Sequence, residues 1–305
     1  MPTLVKQDSA GLDAGIERLA AFFAERTTRA GLLARRALGR PTSSDDALRD
    51  RLVREMRGET RFDGSLGGAA VPTIWRAIEL MELGHGGDQS GTIRVMGWVL
   101  ALQEKPGAFG EGCTDQRHAR KLCEHFVGGF FSLAPPNQKL SPVSLPNGKV
   151  FRSEGAARFA TSCLALRAAL MAGYEHRPGV ARHLASLELL CEEWTEWKGY
   201  FAPDTMISSI PALALAPPKY REALRATIAM VCANLGPDGT WPEADLFHTL
   251  DALTAAAIPE ASGTLRRAVT ALLERQRPDG SFGSTAREER ALIGLRALLQ
   301  ARFAA

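Results

Sequence analysis

The stretch "GPDGTWPEADLFHT", residues 236–249, sets a carboxylate and an imidazole three positions apart, at Asp245 and His248. On a helix, positions i and i+3 share a face, so the two side chains can touch, and a histidine held cationic by a neighbouring carboxylate can hand a proton to a substrate. Asp245 itself, Glu243 and Asp204 are the other acids that could do so. The plain alternative is structural: an Asp directly ahead of an apolar helical run caps the helix, a role worth about 0.5 to 2 kcal/mol.

Other groups carry less chemistry. "RHARKLCEH" places His118 and His125 on one helical face near Cys123. No further ligands stand at metal spacing, so no metal site is expected. "GHGGDQSG" (84–91) has the composition of a phosphate loop but not its Lys-Ser/Thr ending or a preceding strand, and it reads as a turn between helices. No cofactor is expected. The five cysteines are far apart with no CxxC pair, the usage of a reducing compartment. No signal-peptide pattern and no membrane-length apolar run is visible, which predicts a soluble, cytoplasmic protein. The net charge of +3 and the scattered basic residues give no reason to expect nucleic acid. One basic run, "ERTTRAGLLARRALGR" (25–40), suits either the solvated face of an outer helix or peripheral contact with an anionic membrane.

The elements that position these groups are legible from a repeat. The turn "GPDGTW" recurs as "QRPDGSFG" (276–283) and "QEKPGAFG" (103–110), and more loosely as "TRFDGSLGG" (60–68), "SLPNGKVF" (144–151) and "TEWKGYF" (195–201). Anchored on Gly64, Gly107, Gly148, Gly199, Gly239 and Gly280, the copies lie 43, 41, 51, 40 and 41 residues apart. A period of about 40 residues marks stacked units that bury their apolar faces on one another.

Most of these glycines precede an Ala/Leu-rich helical pattern that is apolar nearly all round, and a more charged amphipathic one usually follows. The first kind belongs inside and the second outside. Inner helices are predicted near 70–84, 114–131, 153–173, 203–216, 244–257 and 286–302, and outer ones near 44–57, 89–104, 178–194, 218–234 and 261–276. No outer helix is expected in 133–149, which holds four prolines. Strand signals are almost absent. The reading is an all-α fold, an α/α toroid of six inner and about six outer helices in a single domain, residues 44–305, with an N-terminal helical extension over 1–43.

An Asp-Gly turn with a preceding Gln and a following aromatic, repeated around a helical ring, resembles the terpene cyclase and protein prenyltransferase superfamily, including squalene-hopene cyclase. "QRPDGSF" and "GPDGTW" are its best copies, and the likeness spans about 44–303. In such a ring the inner helices start at one end of a central cavity, whose mouth then receives Asp115, Arg117 and His118, Glu154 and Arg158, Asp204, Asp245 and His248, and Arg287 to Arg290. Those helix starts suit an anion such as a diphosphate. Trp75, Phe159, Phe201, Trp241 and Phe247 are candidates to line the cavity and steady a carbocation, although Trp241 and Phe201, at turns, read better as packing.

The resemblance implies two activities. Class II cyclases carry D-x-D-D-T after such a turn, the middle Asp protonating an alkene, and here that position is Phe247. Prenyltransferase catalytic subunits carry D-x-x-H-T with a zinc-bound His, which "DLFHT" matches, but 195–209 supplies Asp204 and no cysteine, so zinc is not expected. The expectation is a divergent class II terpene-cyclase-like enzyme holding a polyprenyl substrate. Asp245, His248 and Asp204 would act as catalytic residues, and Trp75, Arg117, Glu154, Arg158, Phe159 and Phe247 would bind substrate. The alternatives are a prenyltransferase-like subunit or a non-catalytic relative that binds a lipid or a protein. A homodimer or partner subunit would complete a site that one helical domain leaves open.

Overall fold

A computed structural model describes residues 2–102, 139–198 and 203–303. Among them are twelve α-helices: α1 Pro2–Phe23, α2 Arg29–Ala37, α3 Asp45–Glu59, α4 Ala70–Glu82, α5 Ser90–Leu100, α6 Glu154–Met171, α7 Pro178–Glu193, α8 Asp204–Leu213, α9 Arg221–Ala233, α10 Leu246–Ala256, α11 Pro259–Glu274 and α12 Arg287–Phe303. The expected inner helices are thus found as α4, α6, α8, α10 and α12, and the expected outer ones as α3, α5, α7, α9 and α11. The remaining inner helix, near 114–131, lies outside the described residues, as do Gly107 and Gly199.

The two kinds of helix differ as their sequences require. In α6 thirteen of the residues from Ala157 to Leu170 are buried, on every side of the helix, and among them Phe159, Cys163 and Leu166 are almost wholly covered. In α11 the buried positions Ala261, Leu265, Ala268 and Leu272 form a single stripe, and Arg266 and Arg267 do not join it. Burying a leucine of such a stripe is worth about 1.5 to 3 kcal/mol, which exceeds what helix propensity alone supplies.

The repeated turn has one conformation in its three closest described copies. In each, the Asp carboxylate accepts from the backbone N–H and the hydroxyl two residues on: Asp63 from Ser65, Asp238 from Thr240, Asp279 from Ser281. These bonds hold the three carboxyls below the usual range. The glycines at the next position have φ of +93, +75 and +85°, the left-handed region. Each turn then seats on an outer helix: Gly64 against the Arg94 carbonyl in α5, Gly239 beside Ala271 in α11. Gly280 meets the carbonyl of Arg18, in α1, so the N-terminal helix stands to the last turn as α5 and α11 stand to theirs. Gln276 adds to that seat, donating to the Gly15 carbonyl (3.0 Å) and accepting from Arg18 Nε (2.8 Å).

The chain divides into two compact units. One comprises Met1–Arg54, Pro146–Lys149 and Ile228–Ala305, in which α12 packs on α10, α11, α1 and α2. The other comprises Glu55–Leu145 and Val150–Thr227, in which α6 packs on α4 and α8. The proline-rich stretch holds a feature the sequence reading lacked, a small antiparallel hairpin of β1 Val143–Ser144 and β2 Val150–Phe151. Its turn carries "PNG", residues 146–148, a sequence suited to a tight reversal.

Most of the arginines in the basic run near the N-terminus are engaged in ion pairs within the chain. Arg35 pairs with Asp45 (2.6 Å), Arg26 with Glu288 (2.9 Å), Arg40 with Glu17 (2.6 Å), and Arg29 with Glu289. No described helix is long and apolar enough to cross a membrane.

Candidate active site

Asp245 stands at the N-cap of α10, with extended backbone (φ −77°, ψ 125°), because the preceding turn delivers the chain to the helix in that conformation. Its Oδ1 accepts from the backbone N–H of His248 at 2.9 Å, and its Oδ2 lies 4.0 Å from Arg290 of α12. The carboxylate therefore meets the backbone of His248.

The His248 side chain is buried, 5 % exposed, and its Nδ1 lies 3.1 Å from Nδ2 of Asn147 in the hairpin turn. Asn147, also 5 % exposed, was not anticipated as a site residue. The available signal was the Pro-Asn-Gly turn itself, but nothing in a linear sequence aims it at residue 248. Arg290 joins the pieces. Its Nε donates to the Asn147 carbonyl (3.1 Å), and its guanidinium lies 5.1 Å from the centre of the Phe247 ring, within cation–π range.

Phe247 is 7 % exposed and packs on Phe282, with ring centres 5.2 Å apart. Phe282 is fully covered and presses on Gly294. Trp241 is buried, and its indole N–H donates to the Val231 carbonyl (2.8 Å) at the end of α9, so the aromatic of this turn is a packing residue as expected. Among the first-turn charges of α12, Glu288 and Glu289 are held by Arg26 and Arg29, and Arg287 by Asp279. Arg290 alone of that turn faces Asp245 and the hairpin tip.

In the other unit, Glu154 begins α6. It accepts from the N–H groups of Leu140 (2.9 Å) and Ser141 (2.8 Å) and from Nε of Arg158 (2.6 Å), itself 2 % exposed. Burial pushes the Glu154 carboxyl up, but the two backbone donors and the guanidinium together outweigh it and hold the pKa below the ordinary value. Glu154 and Arg158, expected to bind substrate, are thus brought together and also pin the segment ahead of the hairpin. Asp204 is the first residue of α8 and follows Pro203, which caps nothing with its side chain. Asp204 Oδ1 is buried, beside the covered Thr205 and Met206. Phe159 is 3 % exposed and Trp75 is half-buried on α4. Arg117 lies outside the described residues, as do Phe201, Asp115, His118, His125 and Cys123. Among the described residues no three His, Cys, Asp or Glu side chains gather as a metal ion would need.

Neither a protein-family model nor any curated protein sequence matches the chain. Solved structures do match it, and they define its class of fold, the all-helical α/α toroid of the type II terpene cyclases. Among them are structures of MstE from Scytonema. A variant of MstE in complex with its substrate, geranylgeranyl dihydroxybenzoate, aligns over 98 % of this chain and 100 % of its own with a TM-score of 0.60 and 14 % identity. Another variant, in complex with the product merosterolic acid A, aligns over 98 % and 99 % with a TM-score of 0.61 and 14 % identity. The ligand-free enzyme aligns over 96 % and 99 % with a TM-score of 0.57 and 16 % identity.

Proposed function

We propose that the protein is a divergent class II terpene-cyclase-like enzyme that encloses a polyprenyl chain and starts its cyclisation by protonating an alkene. The observation that carries this reading is the end-to-end likeness to a type II terpene cyclase whose solved substrate complex contains a geranylgeranyl group. In the proposed reaction, a carboxyl O–H adds its proton to a terminal alkene carbon, the ring-forming alkenes attack the resulting cation in turn, and loss of a proton from carbon ends the sequence. No bond to an external reagent is needed.

Of the three residues proposed as catalytic, Asp204 is the better proton donor. Asp245 is committed to its cap, with Oδ1 on the His248 N–H and Oδ2 4.0 Å from Arg290, whereas Asp204 begins its helix without serving as the cap. Asp245 and His248 remain proposed as catalytic residues. Phe159, Trp75 and Phe247 are proposed as aromatic faces for the cation, and Arg158, Arg117 and Glu154 as substrate-binding residues. The test is conversion of geranylgeranyl-bearing aryl acids and of linear polyprenyl substrates of about ten to thirty carbons, followed by mass spectrometry and NMR of the product. An isomeric cyclic product that disappears in Asp204→Asn supports the reading. An active Asp204→Asn protein overturns the assignment of the donor.

One observation favours a second reading, a non-catalytic lipid binder. Phe247, at the position where the cyclase motif has its acid, is used in packing against Phe282. Retention of a geranylgeranyl ligand without any conversion would select it.

A further inference from the structure

We infer that Asn147 is a positioning residue that fixes His248 in the neutral tautomer, with its single proton on Nε2. The orientation of the Asn147 amide is set from outside the pair. The backbone N–H of Lys149 donates to Asn147 Oδ1 at 3.0 Å, and a reversed amide would set that N–H against an NH2 group. With Oδ1 so engaged, it is Nδ2, a donor with no lone pair to offer, that stands 3.1 Å from His248 Nδ1. Nδ1 must then accept, and a ring nitrogen that accepts carries no proton. Both side chains are buried, so water does not compete for the bond.

The support for Asn147 is itself rigid. Arg290 Nε holds the Asn147 carbonyl, and the guanidinium crowds the space beside Gly148, where a Cβ would stand 2.9 Å from Nη2. Charged groups near His248 include Asp245, which binds its backbone N–H, and Arg290, which faces Asp245. Imidazolium would place N–H against N–H at the Asn147 contact. His248 is consequently a neutral group able to donate only through Nε2. This role rests on the proposed site but not on turnover, and it is read without substrate.

The test is long-range 1H–15N NMR of histidine-labelled protein at neutral pH, with His248 assigned by its loss in His248→Gln. The expected spectrum has a pyridine-like Nδ1 and a pyrrole-like Nε2, one tautomer in at least about tenfold excess. In Asn147→Ala, with the fold retained by circular dichroism, the ring becomes a mixture of tautomers. In Asn147→Asp, nearly the same shape, a carboxylate faces Nδ1 and recruits a proton, so the imidazolium persists to a pH about one unit higher or more. Should the alanine variant fail to fold, the aspartate variant decides. A proton on Nδ1 in the wild type overturns the inference, and so does an unchanged tautomer in a folded Asn147→Ala or an unchanged titration in Asn147→Asp. A wild-type protein that shows the expected tautomer yet converts no polyprenyl substrate counts against the proposed enzyme alone.

Discussion

Gly280, in the last copy of the repeated turn, lies against the backbone carbonyl of Arg18 so closely that a methyl group on it would overlap the oxygen. Its φ of +85° is also a conformation that other residues resist. This contact ties the first helix to the last repeat across 262 positions of sequence.

Gly280→Ala should therefore destabilise by more than the left-handed backbone alone demands. Gly173 supplies the comparison, with φ of +76° and no atom within 4 Å of a built Cβ. Gly173→Ala should cost about 1 kcal/mol and Gly280→Ala about 3 kcal/mol or more, compared by urea unfolding at constant m-value. Equal losses would mean that α1 can shift away from the turn at little cost.

The buried pair of Arg35 and Asp45 predicts an acid-sensitive stability. Asp45 is held down to about 2 by its bond to Arg35, against burial, with Thr42 adding two further donors. A depressed carboxyl stabilises above its unfolded pKa, and that contribution is lost as pH falls from about 4 toward 2. Asp45→Asn should lower Tm at pH 7, and the gap to wild type should narrow as both are measured at pH 4, 3 and 2.5. A gap independent of pH would mean that the charge of Asp45 contributes nothing. Arg35 also donates to the carbonyls of Phe23 (3.0 Å) and Arg26 (2.9 Å), so the variant should loosen the connection between α1 and α2, visible as faster amide exchange there.

Asp245 separates a cap from a chemical group. Asn caps nearly as well as Asp, whereas Ala removes the acceptor, so Asp245→Ala should cost about 1 kcal/mol and Asp245→Asn only a few tenths. A folded Asp245→Asn protein that binds a geranylgeranyl ligand and converts it as the wild type does would restrict Asp245 to its cap.

Helix α10 ends on Ala257 in the left-handed region, φ +49° and ψ +35°. Glycine relieves that strain but gives the unfolded chain more freedom, and the first term is the larger at a left-handed helix end. Ala257→Gly should raise stability by about 0.5 kcal/mol, seen as a higher urea midpoint. A lower midpoint would show that the Ala257 methyl group packs to more advantage than its backbone strain costs.

Periodicity is a local property, and whatever depends on it was legible in the chain. The Asp-Gly-Ser/Thr turns at Gly64, Gly239 and Gly280, the all-round apolar α6 and the striped α11 follow from rules that act over four to eight residues. The position of Asp245 at a helix start was equally open to reading. Its partner was not. A cap and a proton donor have the same sequence signature, and only coordinates show that the Asp245 carboxylate meets the backbone of His248.

What the tertiary structure alone decided is which distant groups meet. Asn147 reaches His248 across 101 residues, Arg290 reaches the Asn147 carbonyl across 143, and Arg26 and Arg29 take up Glu288 and Glu289 across about 260. Such pairings leave no periodic trace, because each depends on how helices and a hairpin tip seat against one another and not on the residues beside them. The sequence by itself determined an all-helical repeat with acids and a histidine at helix starts. Packing then decided that the histidine ring answers to an amide from the hairpin turn, since burial removes the water that would otherwise satisfy both groups.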